Sequence, residues 1–161
     1  MLLLALFANW FGAFVFTWLY VGALWLLGWV AFARRRGLAV VFVLAPERAA
    51  DWYLRAWTRW NGWAGMTAVI VRALPDAEQA EQNVRHELRH TKQFLVFGLS
   101  HLLLYGIFSL TILALAKLKL TARHPYYDNP FERDARNAAG QKLKVPREHW
   151  SRGPDDLFPW L

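Results

Sequence analysis

Residues 85–90 read Arg85-His86-Glu87-Leu88-Arg89-His90. In a helix, the His-Glu-x-x-His spacing puts two imidazoles on one face about one turn apart, where both can reach a single metal ion. Glu87 lies beside them, placed to hold and deprotonate a water. Two histidines at this spacing can also be surface or core-satisfied residues. In a chain with only five His, however, a chance His-Glu-x-x-His is rare, on the order of one per cent or less. The remaining residues are read for what positions this stretch and completes its ligand set.

The pattern around it is helical from about 77 to 97. Asp76 is an N-cap candidate after Leu74-Pro75. Val84, Leu88, Thr91 and Leu95 form a core-facing stripe. His86, His90, Gln93 and Phe97 form another, with Glu87 at its edge. Glu81, Arg85 and Arg89 fall four apart on a face expected to be solvated. Gln93 is placed to brace a ligand or the helix rather than to touch substrate. Upstream, Met66–Ala73 predicts a strand, set off by turn signals at Asn61-Gly62 and Gly65. Residues 38–45, LAVVFVLA, are rich in β-branched side chains and suit a buried strand, although a helix is open on length alone. Pro46 opens a predicted helix at 47–60 with Trp52, Tyr53, Ala56, Trp57 and Trp60 on one face and Arg48, Arg55 and Arg59 on another. It either packs on the core or lies at a membrane interface.

Composition bounds the rest. The chain has 161 residues, enough for one small domain, and is 56% hydrophobic with ten Trp. That is too apolar for an ordinary soluble domain of this size. It has no Cys, which excludes disulfides and thiolate metal sites, so a transition metal would be held by His and carboxylates, a donor set that suits zinc. Net charge is +7. Residues 1–33 carry no ionisable side chain, 34–120 carry twelve Lys/Arg against six Asp/Glu, and 121–161 carry seven against six. The excess sits beside apolar segments, where anionic lipid headgroups would meet it. No nucleic-acid-binding motif is visible, and nucleic acid is not expected as a partner.

Residues 2–33 are apolar apart from Asn9 and Thr17, and run into Arg34-Arg35-Arg36. About 20 apolar residues cross a bilayer, so residues 1–36 predict a transmembrane anchor with its basic end cytoplasmic. Ala31-Phe32-Ala33 resembles a signal-peptidase site, but the basic n-region is missing and the apolar run is too long; a hairpin broken near Gly22 is a further option. Residues 99–116 form a second apolar run, barely long enough to span, softened by Ser100, His101, Gly106, Ser109 and Thr111 and followed by Lys117, Lys119 and Arg123. Both basic flanks belong in the cytoplasm by the positive-inside rule. The expectation is one crossing near the N-terminus, with 99–116 monotopic or folded on the domain and residues 34–161 mainly cytoplasmic. In 124–136, Asp128 or Asn129 can cap a helix that starts at Pro130. Glu132, three residues after Asn129, is either the reciprocal carboxylate of a capping box or a third metal ligand. Residues 141–161 predict an irregular tail whose last apolar residues dock on the domain, on lipid or on a partner.

Taken together, the strand at 66–73, His86-Glu-Leu-Arg-His90-Thr-Lys-Gln93, the apolar run and Asn129-Pro-Phe-Glu132-Arg-Asp-Ala135 resemble a group of small bacterial and phage proteins of the zincin type, over roughly residues 60–140. The HExxH element is shared by many families; its pairing with Asn-Pro-Phe-Glu is more specific. The resemblance implies an α+β fold: a zincin-like minimal domain over 37–140, with a short sheet, the HExxH helix and a later ligand-bearing helix, behind the N-terminal transmembrane helix. It also implies a gluzincin-like site, with His86, His90 and Glu132 holding zinc and Glu87 as general base. The 66–73 strand would be the edge strand that aligns an extended peptide. His124, Tyr126 or Tyr127 are candidates for steadying an oxyanion. The implied activity is a membrane-anchored zinc metallopeptidase acting on a peptide or protein. The other class is a non-catalytic membrane structural or assembly protein, such as a phage virion or envelope component, with a zincin-like core. The long N-terminal apolar segment departs from the group and leaves open whether the substrate is soluble or membrane-bound.

Overall fold

The computed structural model describes residues 1–45, 47–49, 62–121 and 123–141. The aromatic helix expected at 47–60 lies almost wholly outside the described residues, as does the tail from residue 142 on.

The fold is α+β, with four described helices and a small mixed sheet. Helix α1 spans Leu2–Leu26. It stops because Gly28 takes a positive φ, 70°, and the amides of Leu27, Gly28 and Trp29 turn back onto Ala23, Trp25 and Leu24 carbonyls. The apolar run expected as one anchor to residue 36 is therefore divided. Its end is strand β1, Val30–Arg36, which returns through Gly37 (φ 60°) as strand β2, Ala39–Leu44. Strands β3, Gly62–Ala64, and β4, Ala68–Arg72, complete a sheet of order β1-β2-β4-β3. The β2/β4 pair is parallel and the two outer pairs are antiparallel.

Period-two alternation divides the central strands between two cores. Phe42, Leu44, Ala68 and Ile70 face Val21 and Leu24 of α1. Val41, Val43, Val69 and Val71 face Val84 of helix α2, Ala77–Phe97, with Leu88 packed beside them. The first α1 residues to bury, Ala13, Thr17, Val21 and Leu24, form one helical stripe. Thr17 Oγ1 also accepts from the Met66 amide at 2.9 Å. So α1 is long and apolar enough to cross a bilayer, yet Val21 and Leu24 dock it on the sheet.

Asp76 caps α2, its carboxylate accepting from the Gln79 amide at 2.7 Å. After Gly98 the chain enters helix α3, Ser100–Lys117, which also meets the length and hydropathy of a membrane span. The chain then doubles back. Ser109 Oγ donates to the Pro125 carbonyl at 3.1 Å, and Asn129 Nδ2 donates to the Tyr105 carbonyl and Ser109 Oγ. Helix α4, Pro130–Ala139, starts with Pro at its first position and Asn129 as N-cap, and ends at left-handed Gly140. This return brings α4 against α2.

Candidate metal centre

Asn129 settles where Glu132 points. The cap oxygen accepts from the Phe131 amide at 3.0 Å, while the Asn129 amide donates to the Tyr126 carbonyl. Glu132 is not spent on a capping box. Its side chain turns into the α2/α4 interface and is 4% exposed.

There it meets both histidines. His86 Nε2 lies 3.3 Å from Glu132 Oε2, His90 Nε2 lies 3.4 Å from Glu132 Oε1, and the two Nε2 atoms are 3.2 Å apart. The ligand atoms of His86, His90 and Glu132 all fall within 4.8 Å of one another, close enough to hold a metal ion. Two imidazole nitrogens and a carboxylate form the nitrogen and oxygen donor set of zinc sites with an open position. Glu132 Oε2 is buried and makes no hydrogen bond among the described residues. This orphaned oxygen, converging with two imidazole nitrogens, fits a cation.

The orientation of His90 follows from counting donors. Gln93 Nε2 donates to the Phe131 carbonyl at 3.1 Å and to Asp134 Oδ2 at 2.8 Å. Its Oε1, 2.7 Å from His90 Nδ1, is left as acceptor. His90 Nδ1 therefore carries the proton, and Nε2 is aimed at the centre. Asp134 is held in turn by Arg89, whose Nε and Nη2 donate to its two oxygens at 2.8 Å each. Arg89, expected on the solvated face with Glu81 and Arg85, instead turns inward to this wholly buried carboxylate; Arg85 does pair with Glu81, at 3.5 Å. His86 lacks a comparable brace, since its Nδ1 is buried without a partner among the described residues.

Electrostatics express the same demand for positive charge. Burial opposes ionisation of His90, but the Glu132 carboxylate and the surrounding bonds outweigh it and raise its pKa to about 9. Burial would raise Glu132, yet the charge on His90 holds it well below the usual carboxylate range. Burial lowers His86. A metal must displace the His90 proton. Apparent metal affinity should therefore rise about tenfold per pH unit between roughly pH 6 and 9, then level off. Titrating metal binding across that range checks this, and a flat profile would contradict it.

A cavity of about 180 Å³ opens over this cluster. Its walls include β3, His101, Leu102 and Tyr105 of α3, and Tyr126. Glu87 also lines it and is 4% exposed, its pKa raised to about 8 by desolvation. Gly62 makes room for this carboxyl: a Cβ there would lie 2.7 Å from Glu87 Oε1. Of the other expected residues, Tyr126 reaches the cavity, whereas His124 and Tyr127 are not among its lining residues. His124 Nδ1 instead accepts from the Tyr126 and Tyr127 amides, and the Tyr127 carbonyl receives Arg136 Nη2.

Two features escaped the sequence. Strand β4 is not the edge strand expected at 66–73, because β2 and β3 flank it. The edge beside the cavity is β3, three residues long and hidden between the turn signals Gly62 and Gly65. Tyr105 was also missed, and its hydroxyl donates to Glu132 Oε1 at 3.0 Å. A signal was present, since His101, Tyr105 and Ser109 recur every four residues and so share a face of α3. No protein-family model, curated protein or solved structure matches this chain.

Proposed function

We propose that this chain is a membrane-anchored zinc metallopeptidase of the gluzincin type. The observation that carries the proposal is the convergence of His86, His90 and Glu132 within 4.8 Å in a cavity that Glu87 also lines. Zinc bound there supplies Lewis acidity and lowers the pKa of water towards ~7.

The remaining steps belong to the chain. Strand β3 has one edge paired with β4; its other edge, beside the cavity, is where an extended peptide would add as a further strand. Glu87 takes the proton of the attacking water as the new C–O bond forms. It passes that proton to the amine as the C–N bond breaks. A base whose pKa lies near neutrality suits both transfers. Tyr126 is held protonated because burial and its hydrogen bond to Glu132 raise its pKa, and by turning its hydroxyl from Glu132 it would donate to the developing oxyanion.

A non-catalytic membrane assembly protein with the same core is the competing function. It gains nothing from a carboxyl buried against a glycine, since burying an ionisable group costs stability. By the positive-inside rule, Arg34–Arg36 on β1, Lys117 at the end of α3, and Lys119 and Arg123 after it favour a cytoplasmic domain. The test is hydrolysis of casein by the detergent-purified full chain. Peptide release should stop with a chelator and return with added zinc; release that ignores the chelator would contradict the proposal.

A further inference from the structure

The cavity lies against α3, and its β3 wall packs on α1. On one wall, Trp63 of β3 meets Tyr20 and Phe16 of α1 edge to face, with ring centroids 4.9 and 6.4 Å apart. The opposite wall includes Leu102 of α3, which lines the cavity while remaining 47% exposed. Helix α1 connects the two walls. Four residues before it reaches Trp63, Gly12 packs on Leu99, and Asn9 bonds the Phe97 carbonyl and the Ser100 amide at 2.9 and 3.0 Å. Away from these contacts both helices expose large apolar side chains, among them Phe7, Phe11 and Leu19 on α1 and Leu103, Leu110 and Leu113 on α3. An exposed apolar surface of this extent marks a docking face.

From this juxtaposition, resting on the peptidase function above, we infer that the cavity opens onto the bilayer and takes its substrate there: an apolar peptide segment held at the membrane surface. Lipid is the occupant of the α1/α3 face because of the charge beside it. Arg34–Arg36 end the strand that follows α1, Lys117 ends α3, and Lys119 and Arg123 come after it, a pattern complementary to anionic headgroups. A water-filled approach would place Trp63 and Leu102 on the cavity wall for no gain. A bilayer covers them and raises the local concentration of any membrane-bound peptide.

The chain has no Cys, so single labels are clean. The full chain is reconstituted in phosphatidylcholine/phosphatidylglycerol vesicles with a spin label at Leu103→Cys, exposed on α3 next to the cavity-lining Leu102, or at Glu78→Cys on the first turn of α2. The Leu103 label should collide more with oxygen than with a water-soluble nickel chelate, and the Glu78 label the reverse. Equal, water-like accessibility at both positions would overturn the inference. In the same vesicles, a quenched random-peptide pool carrying an octanoyl chain should be cleaved with kcat/KM at least about tenfold above the unacylated pool, because the acyl chain partitions into the bilayer. Leu103→Glu combined with Leu110→Glu should erase that ratio while sparing the unacylated pool. Equal cleavage of both pools by the unmodified chain also overturns the inference. Cleavage of neither pool would count against the peptidase function, and label depth alone would then decide whether the cavity faces lipid.

Discussion

Glu87→Gln should reduce peptide hydrolysis by about 10²–10⁴-fold, the usual contribution of a positioned general base, with metal content and fold unchanged. The substitution is nearly isosteric. Glu87 is almost fully buried and its pKa is raised to about 8, so the metal-free protein already holds this group mostly protonated at neutral pH, and an amide replaces it at little cost. Gln cannot accept and hand on a proton. Glu87 is not among the three side chains close enough to hold a metal ion. The measurement is hydrolysis alongside zinc per chain and thermal unfolding. Full activity in the variant would remove Glu87 from the mechanism and return the site to a structural role.

Arg89→Ala should destabilise the protein by about 3–5 kcal/mol, the loss typical when one partner of a buried pair is removed. The reason lies in Asp134, whose side chain is wholly buried and receives both guanidinium donors. Without Arg89 its charge is uncompensated, and its remaining partner, the Gln93 amide, cannot neutralise it. The disturbance then reaches His90 through Gln93. Asp134→Asn should be milder, because it removes the charge that Arg89 otherwise answers while keeping an oxygen for Gln93. Thermal or denaturant unfolding of both variants checks the ordering, and an Arg89→Ala protein as stable as the parent would contradict it.

These two residues show what local sequence carries and what it does not. The HExxH helix with its Asp76 cap and the Asn-Pro start of α4 are set by patterns within a few residues, and the structure has them where those patterns place them. The proximity of Glu132 to the histidines could be anticipated only by resemblance, because it depends on the chain doubling back after α3. Arg89 and Asp134 are 45 residues apart, and an arginine at helical spacing from Glu81 and Arg85 reads as solvated until α4 arrives. Apolar composition likewise cannot separate a helix face that meets lipid from one that meets a sheet. The Val21 and Leu24 end of the buried stripe on α1 is covered by strands that follow it in the chain. Strand β3 is too short for a periodic signal, and its first residue is Gly because Glu87 fills the space a side chain would take.

The central claim is that His86, His90 and Glu132 form one metal centre. Metal analysis of the full chain, purified in detergent without chelators, tests it most directly beside His86→Ala and Glu132→Ala. About one zinc per chain is expected, lost in both variants while circular dichroism shows the helices retained. Absence of metal from the unmodified chain, or zinc that persists in Glu132→Ala, would contradict it.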